Sequence, residues 1–169
     1  MRILGIDPGL QKTGWGVIDS QGSALKFVAC GLIKTTKSKT LPERLSEIDH
    51  QMTDILLRFK PEQAAIEETF VNKNPASALK LGVARGVAMV VPARAGLIVG
   101  EYPANLVKKS VVGAGKAAKD QIGMMIRTLL PACGEIGEDE ADALAVAICH
   151  AHHAASKEKF GGVLAGAAR

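Results

Sequence analysis

The chain opens on residues 2–7, RILGID, in which Ile3-Leu4-Gly5-Ile6 carries no polar side chain and Asp7-Pro8-Gly9 stops the run at once. So short an apolar run, closed by a Pro-Gly turn, reads as a buried strand. It sets a carboxylate, Asp7, at the end of a strand that belongs in the middle of a sheet. The rest of the chain has to supply neighbours for that strand.

Residues 14–19 (GWGVID) give a second strand, and Gln21-Gly22 turns the chain into a third over residues 25–35. Three strands joined by short turns predict an antiparallel meander. The period then changes. Leu41, Leu45, Ile48, Met52, Ile55 and Leu56 recur at helical spacing, with Pro42 in the first turn and Lys60-Pro61 as the stop. A short strand follows over residues 63–68 (QAAIEE). Asn74-Pro75 opens a second helix running to about Val91, and residues 97–102 (LIVGEY) give a fifth strand. Helical patterns then cover residues 104–112, 116–130 and 139–155, the first two separated by Gly113-Ala114-Gly115. The expected architecture is α/β, a mixed five-stranded sheet with helices on both faces. One domain is expected over residues 1–156, with the Gly/Ala-rich residues 157–169 as a flexible tail.

A chain of 169 residues suits one domain, and with aromatics at 4% its core must be aliphatic and alanine-rich. Cys30, Cys133 and Cys149 show no C-x-x-C spacing and fit reduced thiols. The charged Asp7 comes too early for a signal peptide, and no stretch approaches ~20 uninterrupted apolar residues, so a cytoplasmic protein is expected. The net charge of +4 is modest, but between Asn105 and Arg127 five basic residues (Lys108, Lys109, Lys116, Lys119, Arg127) face the single acid Asp120. Such a stripe is either a solvated face or a phosphate footprint.

Three acidic features fall at element ends: Asp7, the Glu67-Glu68 pair, and Glu138, Asp139, Glu140 and Asp142 at the start of the last helix. Asp139 and Asp142, three residues apart, share a helical face. Each has an ordinary explanation: a turn residue, the solvent end of a strand, or acids complementing a helix dipole. Gathered at one sheet edge they would repel one another unless cations neutralised them. Magnesium is held by few carboxylates plus waters and phosphate oxygens, and two ions ~4 Å apart can drive phosphodiester hydrolysis.

The motifs then fall in a recognisable order. They are Ile3-Leu4-Gly5-Ile6-Asp7-Pro8-Gly9, Thr13-Gly14-Trp15-Gly16-Val17, Ala65-Ile66-Glu67-Glu68-Thr69-Phe70, and the stretches at residues 73–82, 84–88, 107–113 and 139–145. Together they resemble the RuvC family of Holliday-junction resolvases, over nearly the whole chain to about His153. The resemblance implies an RNase H-like fold and a homodimer that nicks two opposed strands of four-way junction DNA in recombination and repair. It implies Asp7, Glu67, Asp139 and Asp142 as catalytic and metal-binding residues. Two Mg2+ ions would be held there, with Mn2+ able to substitute. The choice of Glu67 over Glu68 comes from the motif, not from spacing. The resemblance further implies Phe70 beside opened bases, Lys108 and Lys119 on junction DNA, and the RuvAB branch-migration complex as a partner.

Lesser signals are read more plainly. Gly82-x-x-x-Gly86 permits close helix approach, either in the core or at a dimer interface. Gly113-Ala114-Gly115-Lys116 lacks the first glycine and the final Ser/Thr of a phosphate loop. His150, His152 and His153 are expected near the end of the last helix, as cations suited to its C-terminus rather than as zinc ligands. Trp15 is expected in core or turn packing. A sugar-kinase or actin-like ATPase also places Asp-x-Gly after a strand, but it needs two lobes. A junction-binding protein that does not cut would gain nothing from carboxylates placed beside phosphates.

Overall fold

The computed structural model describes residues 1–68, 74–113 and 119–166, the side chains at 119–120 and 155–166 excepted. Strands β1 (Arg2–Asp7), β2 (Lys12–Gln21) and β3 (Ala24–Lys34) form the expected meander. Helix α1 (Leu41–Phe59) and β4 (Gln63–Glu68) follow, then α2 (Pro75–Arg94) and β5 (Ile98–Pro103). Helices α3 (Ala104–Val112), α4 (Lys119–Leu129) and α5 (Glu138–Gly166) complete the fold, with one 3-10 turn at Pro131–Cys133. The five strands make one sheet in the order β3-β2-β1-β4-β5. β1 and β4 lie inside it and run parallel, as do β4 and β5.

Local chemistry fixes the helix ends. The Thr40 N–H donates to Glu43 at 2.8 Å ahead of α1. At its other end Lys60 takes a left-handed conformation, φ 50°, and its N–H donates to the Leu56 carbonyl. Asn74 caps α2, its side-chain oxygen accepting from the N–H groups of Ala76 and Ser77. Three elements outrun the sequence reading. β2 extends to polar ends because β3 pairs with it along its whole length, from Lys12 opposite Lys34 to Gln21 opposite Ala24. α2 continues through Pro92 to Arg94, because a proline in the last turn forfeits one bond while the Ala95 N–H still reaches the Val91 carbonyl. Helix α5 continues from the expected end near Ala155 to Gly166.

Strand alternation divides the core into two layers. Leu4, Ile6, Val17, Ala64 and Ile66 face α1 and α2, where Ile48, Met52, Ala84 and Ala88 complete one cluster. Ile3, Ile18 and Ala65 face α3, α4 and α5 in the other. Trp15 packs on Phe59, ring centroids 5.4 Å apart, in the first layer.

On the α5 side the sheet is stripped of bulk. A Cβ at Gly5 would strike the Ala143 carbonyl and come within 2.6 Å of the Ala147 nitrogen. One at Gly14 would strike the Asp139 carbonyl, and one at Gly16 would lie 2.6 Å from Leu144 Cδ2. These glycines are there for close backbone approach. Gly14→Ala should therefore destabilise by about 1–3 kcal/mol or more, as overpacking does, read as a lower urea midpoint. Gly123→Ala, whose new Cβ would meet nothing nearer than Arg127 Nη1 at 3.7 Å, should instead be neutral or gain up to ~1 kcal/mol. Equal effects at both positions would remove the packing argument.

Candidate active site

Asp7 ends β1 on the α5 side, since Ile3 of the same parity belongs to the α5 core. Its ladder partner is Gly14, and Asp139 lies directly over Gly14, its Cβ 3.3 Å from where a Cβ at that glycine would stand. Asp139 is thus brought beside Asp7 by one missing side chain. Glu67 is on β4, the other central strand, and shares its face with Ala65, again toward α5. Glu68 has the opposite parity, that of Ala64 and Ile66, and belongs to the α1/α2 side. Alternation therefore puts Glu67, and not Glu68, on the face toward α5.

Glu67 and Asp142 meet across a cavity of about 190 Å³, whose wall also contains Lys108, Val107 and Ile122. Burial holds the Glu67 carboxyl above the ordinary carboxylate range, and the nearby Asp142 charge pushes it the same way, against Lys108. On the other side of Asp142 a cavity of about 330 Å³ is bounded by Arg127, Ile136 and Glu138. Among the described residues no three acidic, histidine or cysteine side chains close around a single point. The carboxylates are gathered at one end of the sheet in pairs rather than around a focus.

Of the other expected site residues, Lys108 sits in the Glu67 cavity as described above. Phe70 falls within residues 69–73, outside the described residues. Lys119 opens α4, but its side chain also lies outside them. The histidine expectation needs correction. Because α5 runs on to Gly166, His150 is in mid-helix and buried, with Nε2 2.6 Å from Gln63 Oε1 and Nδ1 2.9 Å from the Tyr102 hydroxyl. It is a core hydrogen-bonding residue, not a cation at a helix terminus. The reading also missed Arg85, whose Nε donates to the Glu67 backbone carbonyl at 3.2 Å. No local signal marked it, for the glycines within β1 and β2 flag the contact with α5 on the other face of the sheet.

A 3-2-1-4-5 mixed sheet with carboxylates ending its central strands, and more on a helix crossing them, defines a nuclease of the RNase H-like fold. The chain belongs to the RuvC family of Holliday-junction-resolving endodeoxyribonucleases: the model for crossover junction endodeoxyribonuclease RuvC matches residues 3–150. It is 58% identical over 160 residues to the crossover junction endodeoxyribonuclease RuvC of Paramagnetospirillum magneticum, covering 95% of this chain and 96% of that one. It is 56% identical over 169 residues to that of Cereibacter sphaeroides, covering the whole of both. The structure is similar to that of Thermus thermophilus RuvC in complex with a Holliday junction substrate, with TM-score 0.85 and 33% identity, over 92% of this chain and 96% of that chain.

The Glu67 shift has a consequence for stability. Its carboxyl holds a proton more tightly folded than unfolded, so its contribution becomes unfavourable as pH rises from the ordinary carboxylate range through the raised value. In EDTA, Glu67→Gln should melt higher than the unsubstituted protein at pH 7.5, the gain shrinking toward pH 4. A melting difference that is the same at both pH values would count against the buried, repelled carboxyl.

Proposed function

We propose that Asp7, Glu67, Asp139 and Asp142 together form the cutting centre of this resolvase and hold Mg2+ there. The observation that carries the proposal is the paired placement of Glu67 with Asp142 and of Asp7 with Asp139 at one end of β1 and β4. The donors are hard oxygens, and magnesium needs only one or two carboxylates per ion, so pairs suffice without a closed cage. Burial and the nearby Asp142 charge both disfavour the ionised Glu67 carboxylate, and a cation would relieve that. When bound, two such ions would supply an activated water and neutralise the leaving oxygen of the phosphodiester; Mn2+, with the same preference for oxygen, would substitute.

The chain's own residues do the placing. Lys108, in the same cavity, would meet a strand phosphate beside Glu67. Lys119 at the start of α4 would extend that track, and Phe70, two residues beyond β4, would stack on a base opened at the junction. Two symmetric nicks need two such centres, and α2 supports a homodimer. Leu79, Val83 and Val90 are exposed at 74%, 41% and 51%, along the helix with Gly82 and Gly86, whose Cβ positions meet nothing. By length and composition α2 could cross a bilayer. Its apolarity is accounted for by two faces, one packed on α1 through Ala84 and Ala88, the other this stripe. RuvAB as a partner and a cytoplasmic location are part of the same proposal, supported by the family resemblance alone.

Asp7→Asn should lower cleavage of a labelled four-way junction in Mg2+ by several orders of magnitude, because charge stabilisation and water activation are lost together. Its gel shift in EDTA should be as strong as before or stronger, with one anion fewer beside the phosphates. Loss of the shift along with the activity would make Asp7 a structural residue. Phe70→Ala should slow cutting without moving the melting temperature, and Phe70→Trp should restore much of the rate, since a stacked base is worth ~1–3 kcal/mol. A large fall in melting temperature with full cutting in the cold would place the ring in the core instead.

A further inference from the structure

Arg85 reaches from α2 to the acidic end of the sheet. Its Nε donates to the Glu67 carbonyl oxygen at 3.2 Å, and its Nη2 forms an ion pair with Glu101 of β5. The side chain is only 19% exposed, so it is packed in place rather than loose on the surface. It works where the backbone runs out of donors. Glu67 is paired with Tyr102 and Glu68 with Pro103, and a proline has no N–H to give to the ladder. A planar guanidinium, fixed on one side by Glu101, can supply a donor to the end of β4 and tie it to β5. The charges that act on the Glu67 carboxyl itself are those of Asp142 and Lys108, so Arg85 acts on Glu67 through its backbone.

We propose that Arg85 is a positioning residue for junction cleavage: by bridging the Glu67 carbonyl to Glu101 it holds the end of β4 so that the Glu67 carboxylate stays directed at the cavity it shares with Asp142. The inference rests on the reading of Glu67 as part of the cutting centre. It gives α2 a second task besides its outward stripe, because the same helix that carries Gly82 and Gly86 also sets the last residues of a central strand.

The test is single-turnover and steady-state cleavage of a synthetic four-way junction by Arg85→Ala, Arg85→Lys, Glu101→Gln and Glu67→Gln, alongside junction Kd in EDTA, melting temperature and a Mg2+ titration. Arg85→Ala should lower kcat at least tenfold and raise half-saturating Mg2+ severalfold, with KM and Kd within twofold of the unsubstituted protein. Arg85→Lys, which keeps the charge for Glu101 but not the fork that spans both oxygens, should fall between. Glu101→Gln should show a smaller loss of the same kind. Unchanged kcat in Arg85→Ala with Glu67→Gln inactive overturns the inference and leaves the carboxylate reading standing. Full activity in Glu67→Gln overturns the reading beneath it. A loss of kcat matched by loss of junction affinity makes Arg85 a DNA contact and overturns the positioning role. So does a rate that returns to normal once corrected for the folded fraction. If Arg85→Ala does not fold, Arg85→Lys and Glu101→Gln decide by the same readings.

Discussion

Helix α5 rests on the sheet at backbone distance because the residues beneath it have almost no side chains: Gly5 under Ala143 and Ala147, Gly14 under Asp139, Gly16 under Leu144. Where it crosses Gly5 its own underside is nearly as bare, with Ala143 and Ala147 against that glycine. An ordinary aliphatic layer keeps a helix well clear of a sheet, and an acid in its first turns could then not reach a strand-end carboxylate. The sparse aromatic content of the chain is the compositional trace of this contact. Core volume lost here is made up by the Ile, Leu and Met side chains of the opposite layer, between the sheet and α1.

Close approach alone does not set the axial position of the helix. His150 does much of that, bonded to Gln63 at the start of β4 and to Tyr102 of β5, with Gly100 leaving room for its ring. From His150 back to Asp142 is eight helical residues, a rise of roughly 12 Å. From Gln63 forward to Glu67 is four strand residues, roughly 13 Å. The two lengths agree, so pinning His150 on Gln63 delivers Asp142 opposite Glu67, where the shared cavity is found. A polar trio at the middle of the helix, with His150 buried and its two partners half-buried, thus aligns the acidic groups at its start. It is a fully partnered network, of the kind that specifies one packing rather than adding much stability.

Much of this was legible before the structure. The element order, the meander, the opening of α2 at Asn74 and the placement of acids at element ends all follow from local chemistry, because apolar period and turn residues act over a few residues at a time. Relations between elements were harder to read. Glu67 could have been preferred to Glu68 by parity with Ala65, but only once it was known which face α5 covers. Arg85 and His150 were opaque because each owes its role to partners 16 to 87 residues away in sequence. Nothing local separates a buried helical histidine from one near a frayed end. The glycines within β1 and β2 were the one long-range signal present, a mark of something pressing on the sheet at that point.

The ordinary explanations for the acids can be weighed against where the fold puts them. A helix dipole favours anions in the first turn and fades beyond it. Glu138, Asp139 and Glu140 satisfy that turn, yet Asp142 lies past it, half-buried and facing another carboxylate. The turn after β1 is closed by Thr13, whose hydroxyl donates to the Gly9 carbonyl while accepting from the Gly9 N–H, so the loop has a local stabiliser of its own. A solvent-exposed strand end would leave Glu67 ionising as it does in water, whereas burial and the Asp142 charge raise its pKa above the ordinary carboxylate range. Glu67, which the solvent reading would leave at ease, is instead set where its charge costs stability. A fold that spends a glycine trough and a buried histidine to bring Asp139 and Asp142 to that end of the sheet has the arrangement that the proposed cation-binding centre would require.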